Sequence, residues 1–309
     1  MTTVLLFGGQ GSQRAGMLHR WSEVPEVSAH VAEASEVLDE DVWILDSMAE
    51  LRGTRAVQLS LLVLHSGIAA ALMGRGLRPD IGAGHSLGAW SAAVAAGILS
   101  FRDAVRLVDI RASSMASAAP AGFGMAAVTG LSESTVRRLV GQIGTDAWVS
   151  NLNTPLQCTV SGSEPALAQL PALASDAGAQ RVVRLDVAVP AHSPLMTPAR
   201  SALEHAVDGV AVSHPAFPVV GNTTGRLLRR EDAVMSDLVA STDQPVRWAS
   251  GMAAVAERRI DCWVQCSPGA SLLGMLRNVE GTSRSWSVDS VGIDETVARW
   301  RVTDRRGGF

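Results

Sequence analysis

Apolar runs punctuated by glycine divide the chain. Val4-Leu5-Leu6-Phe7 stops at Gly8-Gly9-Gln10-Gly11-Ser12-Gln13, which predicts a buried strand over Thr3 to Phe7, then a tight loop leading into a helical region. Leu77 to Ala83 is short and apolar enough for another buried strand. Ala89 to Gly97 is mostly small residues, which predicts a tightly packed helix ending at a glycine suited to the left-handed cap position. A further helix is expected over Phe101 to Ala118.

Beyond Gly124 the pattern changes. Met125 to Gly130 reads as a strand, Glu133 to Ile143 as an amphipathic helix and Ala147 to Asn151 as a strand. Gln157 to Ser161 then reads as a strand, Glu164 to Ala177 as a helix and Gln180 to Val187 as a strand. The order β-α-β-β-α-β is the ferredoxin-like unit. It predicts a small inserted domain at 124–188, within a large domain built from 1–123 and 189–309. Pro190 to about Val291 returns to alternating helix and strand, as a split α/β domain requires. From Trp300 onward the chain is polar and glycine-ended, and is expected to fray.

The junction between the second strand and the small-residue helix reads Gly84-His85-Ser86-Leu87-Gly88. This is a G-x-S-x-G elbow in the strand-turn-helix setting that its chemistry needs. A serine on that turn has a strained backbone and an exposed hydroxyl. A Cβ at either flanking glycine would collide with the neighbouring strand or helix. The amides that follow, beginning with Leu87, sit at a helix N-terminus and can donate to an oxyanion. The fold class expected is therefore α/β, an α/β-hydrolase-like domain with a parallel sheet plus the ferredoxin-like insert.

Composition narrows the chemistry. The chain has no lysine, so all 26 cations are arginine, and it has no tyrosine. A Walker lysine, a Schiff-base lysine, a Ser-Lys dyad and a tyrosine acid or base are all removed. The loop at Gly8 to Gln13 then serves better to bring backbone N–H groups to a reacting centre than to cradle phosphate. A net charge of −4 argues against a general nucleic-acid binder. Cys158, Cys262 and Cys266 form neither a disulfide framework nor a zinc spacing, so no metal site is implied. With 309 residues, 47% hydrophobic content and mean hydropathy +0.19, a globular chain with a large core is expected. No apolar segment of membrane-spanning length is expected, and Met1 to Gly8 lacks a basic region and has too short an apolar run for a signal peptide, so a cytoplasmic protein is expected.

An activated serine needs a base, and seven histidines compete. His85 adjoins the serine, but neighbouring side chains on a turn diverge. His19, His30 and His65 lie on helical patterns, His205 sits in an amphipathic helix and His214 in a polar loop. His192 differs, because Val189-Pro190-Ala191-His192-Ser193-Pro194 places it after a predicted strand, at the mouth of a turn that opens the helix Leu195 to Val207. The residues alone leave its role open.

Gly9-Gln10-Gly11-Ser12-Gln13, the elbow, Arg111-Ala112-Ser113-Ser114-Met115, Val189 to Met196 and Pro245-Val246-Arg247-Trp248 occur in this order. Asn151 to Gln157 and Ser267 to Gly274 extend the series over nearly the whole chain. The series resembles the malonyl-CoA:acyl carrier protein transacylases. Position by position, the resemblance implies Ser86 as nucleophile, His192 as base, and the amides of Gln10 and Leu87 as oxyanion hole. The carbonyl near Ser241 would orient His192, and Arg111 would bind the free carboxylate of malonate. Gly9 stands where the family usually has proline and Ala112 where it usually has glycine, both read as mild. Trp90 replaces a smaller aromatic and is expected to crowd the helix packing.

Within the family the chain is most similar to the epsilon subunit of malonate decarboxylase, on Gln13 to Arg20, Thr54 to Leu59 and Ala89, where the fatty-acid enzymes usually carry glutamate. That resemblance implies malonyl-CoA as donor, no bound cofactor, and as acceptor the phosphopantetheine-type arm of an acyl carrier protein, here the decarboxylase carrier subunit. Arg226, Arg229, Arg230, Arg258 and Arg259 are candidate contacts for an acidic carrier. The alternative within the enzyme class is a fatty-acid or polyketide malonyl transacylase. A serine hydrolase or thioesterase is the second alternative, but its order is serine, acid, histidine, and no histidine follows His214. A noncatalytic carrier-docking subunit is the third.

Overall fold

The computed structural model describes residues 1–187, 189–276 and 284–306. The chain runs β1 (Thr3–Phe7), α1 (Pro25–Leu38), α2 (Thr54–Gly74), β2 (Ile81–Gly84), α3 (Gly88–Ala95), α4 (Phe101–Ala118), β3 (Phe123–Thr129), α5 (Glu133–Ile143), β4 (Ala147–Thr154), β5 (Gln157–Ser163), α6 (Glu164–Asp176) and β6 (Arg181–Arg184). It continues through α7 (Thr197–Ala206), β7 (Val219–Val220), β8 (Leu227–Leu228), α8 (Glu231–Ala240), α9 (Trp248–Ala256), β9 (Cys262–Gln265), α10 (Ser271–Met275), β10 (Ser285–Ser287), α11 (Val288–Val291) and α12 (Ile293–Arg306).

The larger sheet has the order β10-β9-β1-β2-β7-β8 and is parallel except for β8, which closes a short antiparallel hairpin with β7. Strand β1 lies in the middle, every residue buried, as its unbroken apolar run requires. The smaller sheet is antiparallel in the order β4-β5-β3-β6, the ferredoxin-like arrangement expected from the β-α-β-β-α-β pattern. Its apolar residues, among them Val128, Val136, Leu139, Val160 and Leu170, form a cluster of their own.

Three expectations need correction. Strand β2 starts at Ile81, later than Leu77, because Pro79 has no N–H and the Asp80 carboxylate accepts the Thr3 N–H at 2.7 Å instead. The chain does not fray at Trp300, since α12 continues through it. The indole is buried and donates to Thr3 Oγ1 at 2.9 Å. Helix α2 does reach spanning length and apolarity, its 21 residues containing an 18-residue stretch of mean hydropathy 1.8, but 89% of that stretch is buried inside the protein. A helix packed on all sides is apolar all round, which the sequence pattern alone does not separate from a membrane span. Trp90 is fully buried within the main core.

Candidate active site

Ser86 sits directly after β2 with φ +54°, in the left-handed region. A non-glycine residue stays there only where its surroundings enforce it. The enforcement begins with the glycines. A Cβ on Gly84 would lie 1.9 Å from the backbone of Gly88, and one on Gly88 would lie 2.1 Å from the Phe7 carbonyl. The elbow is therefore pressed against β1 more closely than any side chain allows. A Cβ on Gly9 would stand 2.6 Å from the His85 carbonyl, so the first loop is fitted to glycine here and the replacement of proline is not sterically neutral.

His192 also has a positive φ, +58°, which the sequence did not announce. Its loop is pinned by Ser161 Oγ donating to the Ala191 carbonyl at 2.7 Å and by Ser193 Oγ donating to the Pro190 carbonyl at 2.6 Å. The imidazole then lies between two partners: Nε2 is 2.8 Å from Ser86 Oγ, and Nδ1 is 2.5 Å from the Ser241 carbonyl. A carbonyl can only accept, so Nδ1 carries the proton and Nε2 presents a lone pair to the serine. Burial, with the nearby Arg111 charge second, pushes the His192 pKa down to about 3, against the carbonyl's opposite pull. The ring is neutral at physiological pH, the state a base must start from.

Arg111, on α4, is 1% exposed. Its Nη2 donates to Ser86 Oγ at 3.3 Å, and its Nη1 donates to Gln58 Oε1. Its Nε has no partner and, among the described residues, no carboxylate pairs with it. Burial lowers its pKa to about 10, which still leaves it charged at neutral pH. A buried cation without a counter-ion is costly. It lines the same cavity of about 540 Å³ as Ser86, His192, Gln10 and Leu87.

The Gly9 carbonyl accepts both the N–H and the hydroxyl of Ser12, fixing the first loop. Among the described residues neither the Gln10 N–H nor the Leu87 N–H is engaged, although both residues line the cavity. Leu87 immediately precedes α3, so its amide lies at the positive end of a helix. The far wall comes from the smaller sheet through Met125, Ala127, Asn153 and Thr159. Asn153 Oδ1 lies 3.0 Å from His85 Nε2, so His85 ties that sheet to the elbow, as its divergence from Ser86 suggested.

Sequence reasoning missed Gln58 and Asn222. Gln58 is buried on α2 on the same face as Thr54, which accepts from its Nε2, and His65, and polar residues recurring at helical spacing within an apolar helix were the signal available. Asn222 accepts the Ser86 N–H at 2.7 Å from 136 residues away, a distance at which spacing says nothing. Of the surface arginines, Arg226, Arg229, Arg230, Arg258 and Arg259 are exposed and lie outside the cavity lining. The thiols are buried; burial raises Cys158 and Cys262 to about 11, so neither competes as a nucleophile at neutral pH.

Residues 4–301 match the acyl transferase domain family. The malonyl CoA-acyl carrier protein transacylase of Haemophilus influenzae is 32% identical over 307 residues, covering 96% of this chain and 98% of its own. The solved transacylase of Coxiella burnetii superposes with a TM-score of 0.91 at 30% identity, covering 97% of this chain and 98% of its own. A malonyl-transacylase solved with its type II polyketide-synthase acyl-carrier protein gives a TM-score of 0.91 at 31% identity, covering 97% of this chain and all of the other. With the family match spanning residues 4–301 and relatives that share the fold over nearly the whole chain, the protein belongs to the acyl transferase family, alongside the malonyl CoA-acyl carrier protein transacylases.

Proposed function

We propose that the protein is a malonyl-CoA:acyl carrier protein S-malonyltransferase working through a malonyl-serine. The observation that carries this reading is Arg111, a buried guanidinium beside the nucleophilic hydroxyl with no carboxylate partner among the described residues. An acyl group ending in a carboxylate completes it; an acetyl group does not. A planar guanidinium holds a carboxylate with two parallel hydrogen bonds, so Arg111 selects the acyl chain and aligns it together.

Ser86 Oγ attacks the thioester carbonyl while His192 Nε2 takes its proton. The amides of Gln10 and Leu87 hold the oxyanion, each such donor contributing roughly 2.7 to 4 kcal/mol to the barrier reduction in comparable sites. The CoA thiolate leaves with the proton returned by His192. The thiol of the carrier arm then attacks the malonyl ester with His192 again as base, and Ser86 is regenerated. The Ser241 carbonyl keeps the ring in the tautomer both steps need. The site uses no metal or bound cofactor in this scheme.

The acceptor we favour is the phosphopantetheine arm of a fatty-acid or polyketide acyl carrier protein. The relatives named above support it, one of them solved with such a partner. The malonate decarboxylase carrier subunit is the second reading, resting on Ala89 and the stretches noted in the sequence. The discriminating assay offers malonyl-enzyme a carrier with a phosphopantetheine arm and one with a dephospho-CoA-type arm. Preference for the first supports our reading and preference for the second reverses it. We further propose 124–188 as a unit folding around its own core, supported by the separate sheet and apolar cluster.

A further inference from the structure

The strained serine is held by a side chain from a distant turn. Asn222 is 2% exposed and faces the elbow with both ends of its amide. Its Oδ1 accepts the Ser86 N–H at 2.7 Å, and its Nδ2 donates to the Gly84 carbonyl at 2.8 Å. One planar group thereby binds the backbone on either side of His85, as a neighbouring strand would, while β1 takes the His85 N–H at 3.0 Å through the Phe7 carbonyl. The asparagine is fixed in turn. Its own N–H donates to Asp237 Oδ2 at 2.5 Å, its carbonyl accepts the Arg247 N–H at 2.7 Å, and Asp237 Oδ1 also takes the Thr223 N–H at 2.9 Å. Asp237, on α8, is 6% exposed and spends its acceptors on this one turn.

We propose that Asn222, clamped by Asp237, is a positioning residue that holds Ser86 in its left-handed conformation and so sets the hydroxyl against His192 and Arg111. The proposal rests on the reading of Ser86 as nucleophile. Without the clamp, the Ser86 N–H and the Gly84 carbonyl lose their partners together, and relaxation toward negative φ carries Oγ away from Nε2. Displacements of about 1 Å in such a site cost on the order of 100-fold in rate.

The test compares the parent with Asn222→Ala and Asn222→Asp, each checked for native circular dichroism, by the rate at which a small fluorophosphonate labels Ser86 and by single-turnover malonylation. The fluorophosphonate needs the nucleophile but makes no use of Arg111. Both rates are expected to fall about 100-fold in Asn222→Ala, with the KM for malonyl-CoA within about threefold of the parent. Asn222→Asp adds a readout that general destabilisation would not produce. Its carboxylate can still accept from Ser86 but faces the Gly84 carbonyl without a donor, and protonation restores one. The labelling rate of Asn222→Asp relative to the parent should therefore rise as the pH is lowered. Parent-like labelling of both variants would overturn the clamp while leaving Ser86 as nucleophile. A parent that is not labelled at Ser86 would remove the nucleophile, and the clamp with it. If Asn222→Ala does not fold, Asn222→Asp decides: a flat ratio across pH contradicts the proposal.

Discussion

Arg111 donates from Nη2 to the hydroxyl oxygen of Ser86 at 3.3 Å, so the cation that would read the acyl chain touches the atom that would carry it. In the proposed reaction, substrate choice and nucleophile placement would thus be one piece of geometry: the far carboxylate of the malonyl group would become the better partner for the guanidinium and leave Ser86 Oγ to His192.

Replacing Arg111 by Ala should therefore depress malonyl transfer by about 2 to 5 kcal/mol, the range for a buried charge pair cut in half. Acetyl transfer from acetyl-CoA should change much less. Parallel kcat/KM measurements with the two donors check this, and equal losses would remove Arg111 from the selectivity.

Gln58 offers a sharper variant. Its Oε1 accepts from Arg111, while its Nε2 donates to Thr54 Oγ1 at 3.1 Å. Gln58→Glu places a fixed carboxylate against the guanidinium, in competition with the substrate's own. The KM for malonyl-CoA should rise roughly 10- to 100-fold, about 1.4 to 2.8 kcal/mol, with a smaller change for acetyl-CoA. Steady-state titration of both donors decides it; an unaltered malonyl KM would mean that Arg111 does not receive the substrate.

The pH dependence follows from His192. Burial and then Arg111 hold its pKa down, to about 3, so the base is neutral above that value and is lost only as the pH falls through it. The acid limb of kcat/KM should lie well below 6.5, the ordinary imidazole value. Arg111→Ala removes the second-largest of the depressing causes, so its limb should move to higher pH. Profiles of acylation against pH for parent and variant test the sign; a limb displaced downward would contradict it.

In the proposed scheme Ser241 serves through its carbonyl, so its side chain should matter to stability and not to rate. Its Oγ donates to the Leu238 carbonyl at 2.8 Å in a fully buried setting. Ser241→Ala should cost about 1 kcal/mol of folding stability while kcat stays within about twofold of the parent. Denaturant unfolding beside a transfer assay shows whether the two effects separate; a large drop in kcat would assign the side chain a role.

The elbow was legible because its constraints are local. Gly84 and Gly88 are demanded by contacts within a few residues and with β1, and the small-residue helix follows directly. The ferredoxin-like unit was legible for a similar reason, since its alternation of period 2 and period 3.6 is complete within one segment. His192 was only half legible, for its identity as partner depends on a turn at Ser241 that reaches it from 49 residues further on. Asn222 and Gln58 left no spacing at all, being brought to the site by the parallel crossovers of the large sheet and by the packing of α2 on α4. Trp300 was misread because the polar, glycine-ended composition outweighed a short periodicity: Ile293, Val297 and Trp300, at i, i+4 and i+7 on α12, are all buried in the main core.

The central claim is a malonyl ester on Ser86, and intact-protein mass spectrometry after brief exposure to malonyl-CoA, or separately to acetyl-CoA, tests it most directly on the parent and on Ser86→Ala. The account predicts one malonyl adduct on the parent, little acetyl adduct, and neither on the variant. An adduct that persists in Ser86→Ala, or malonate released by the parent with no acyl-enzyme and no transfer to a carrier, would contradict it.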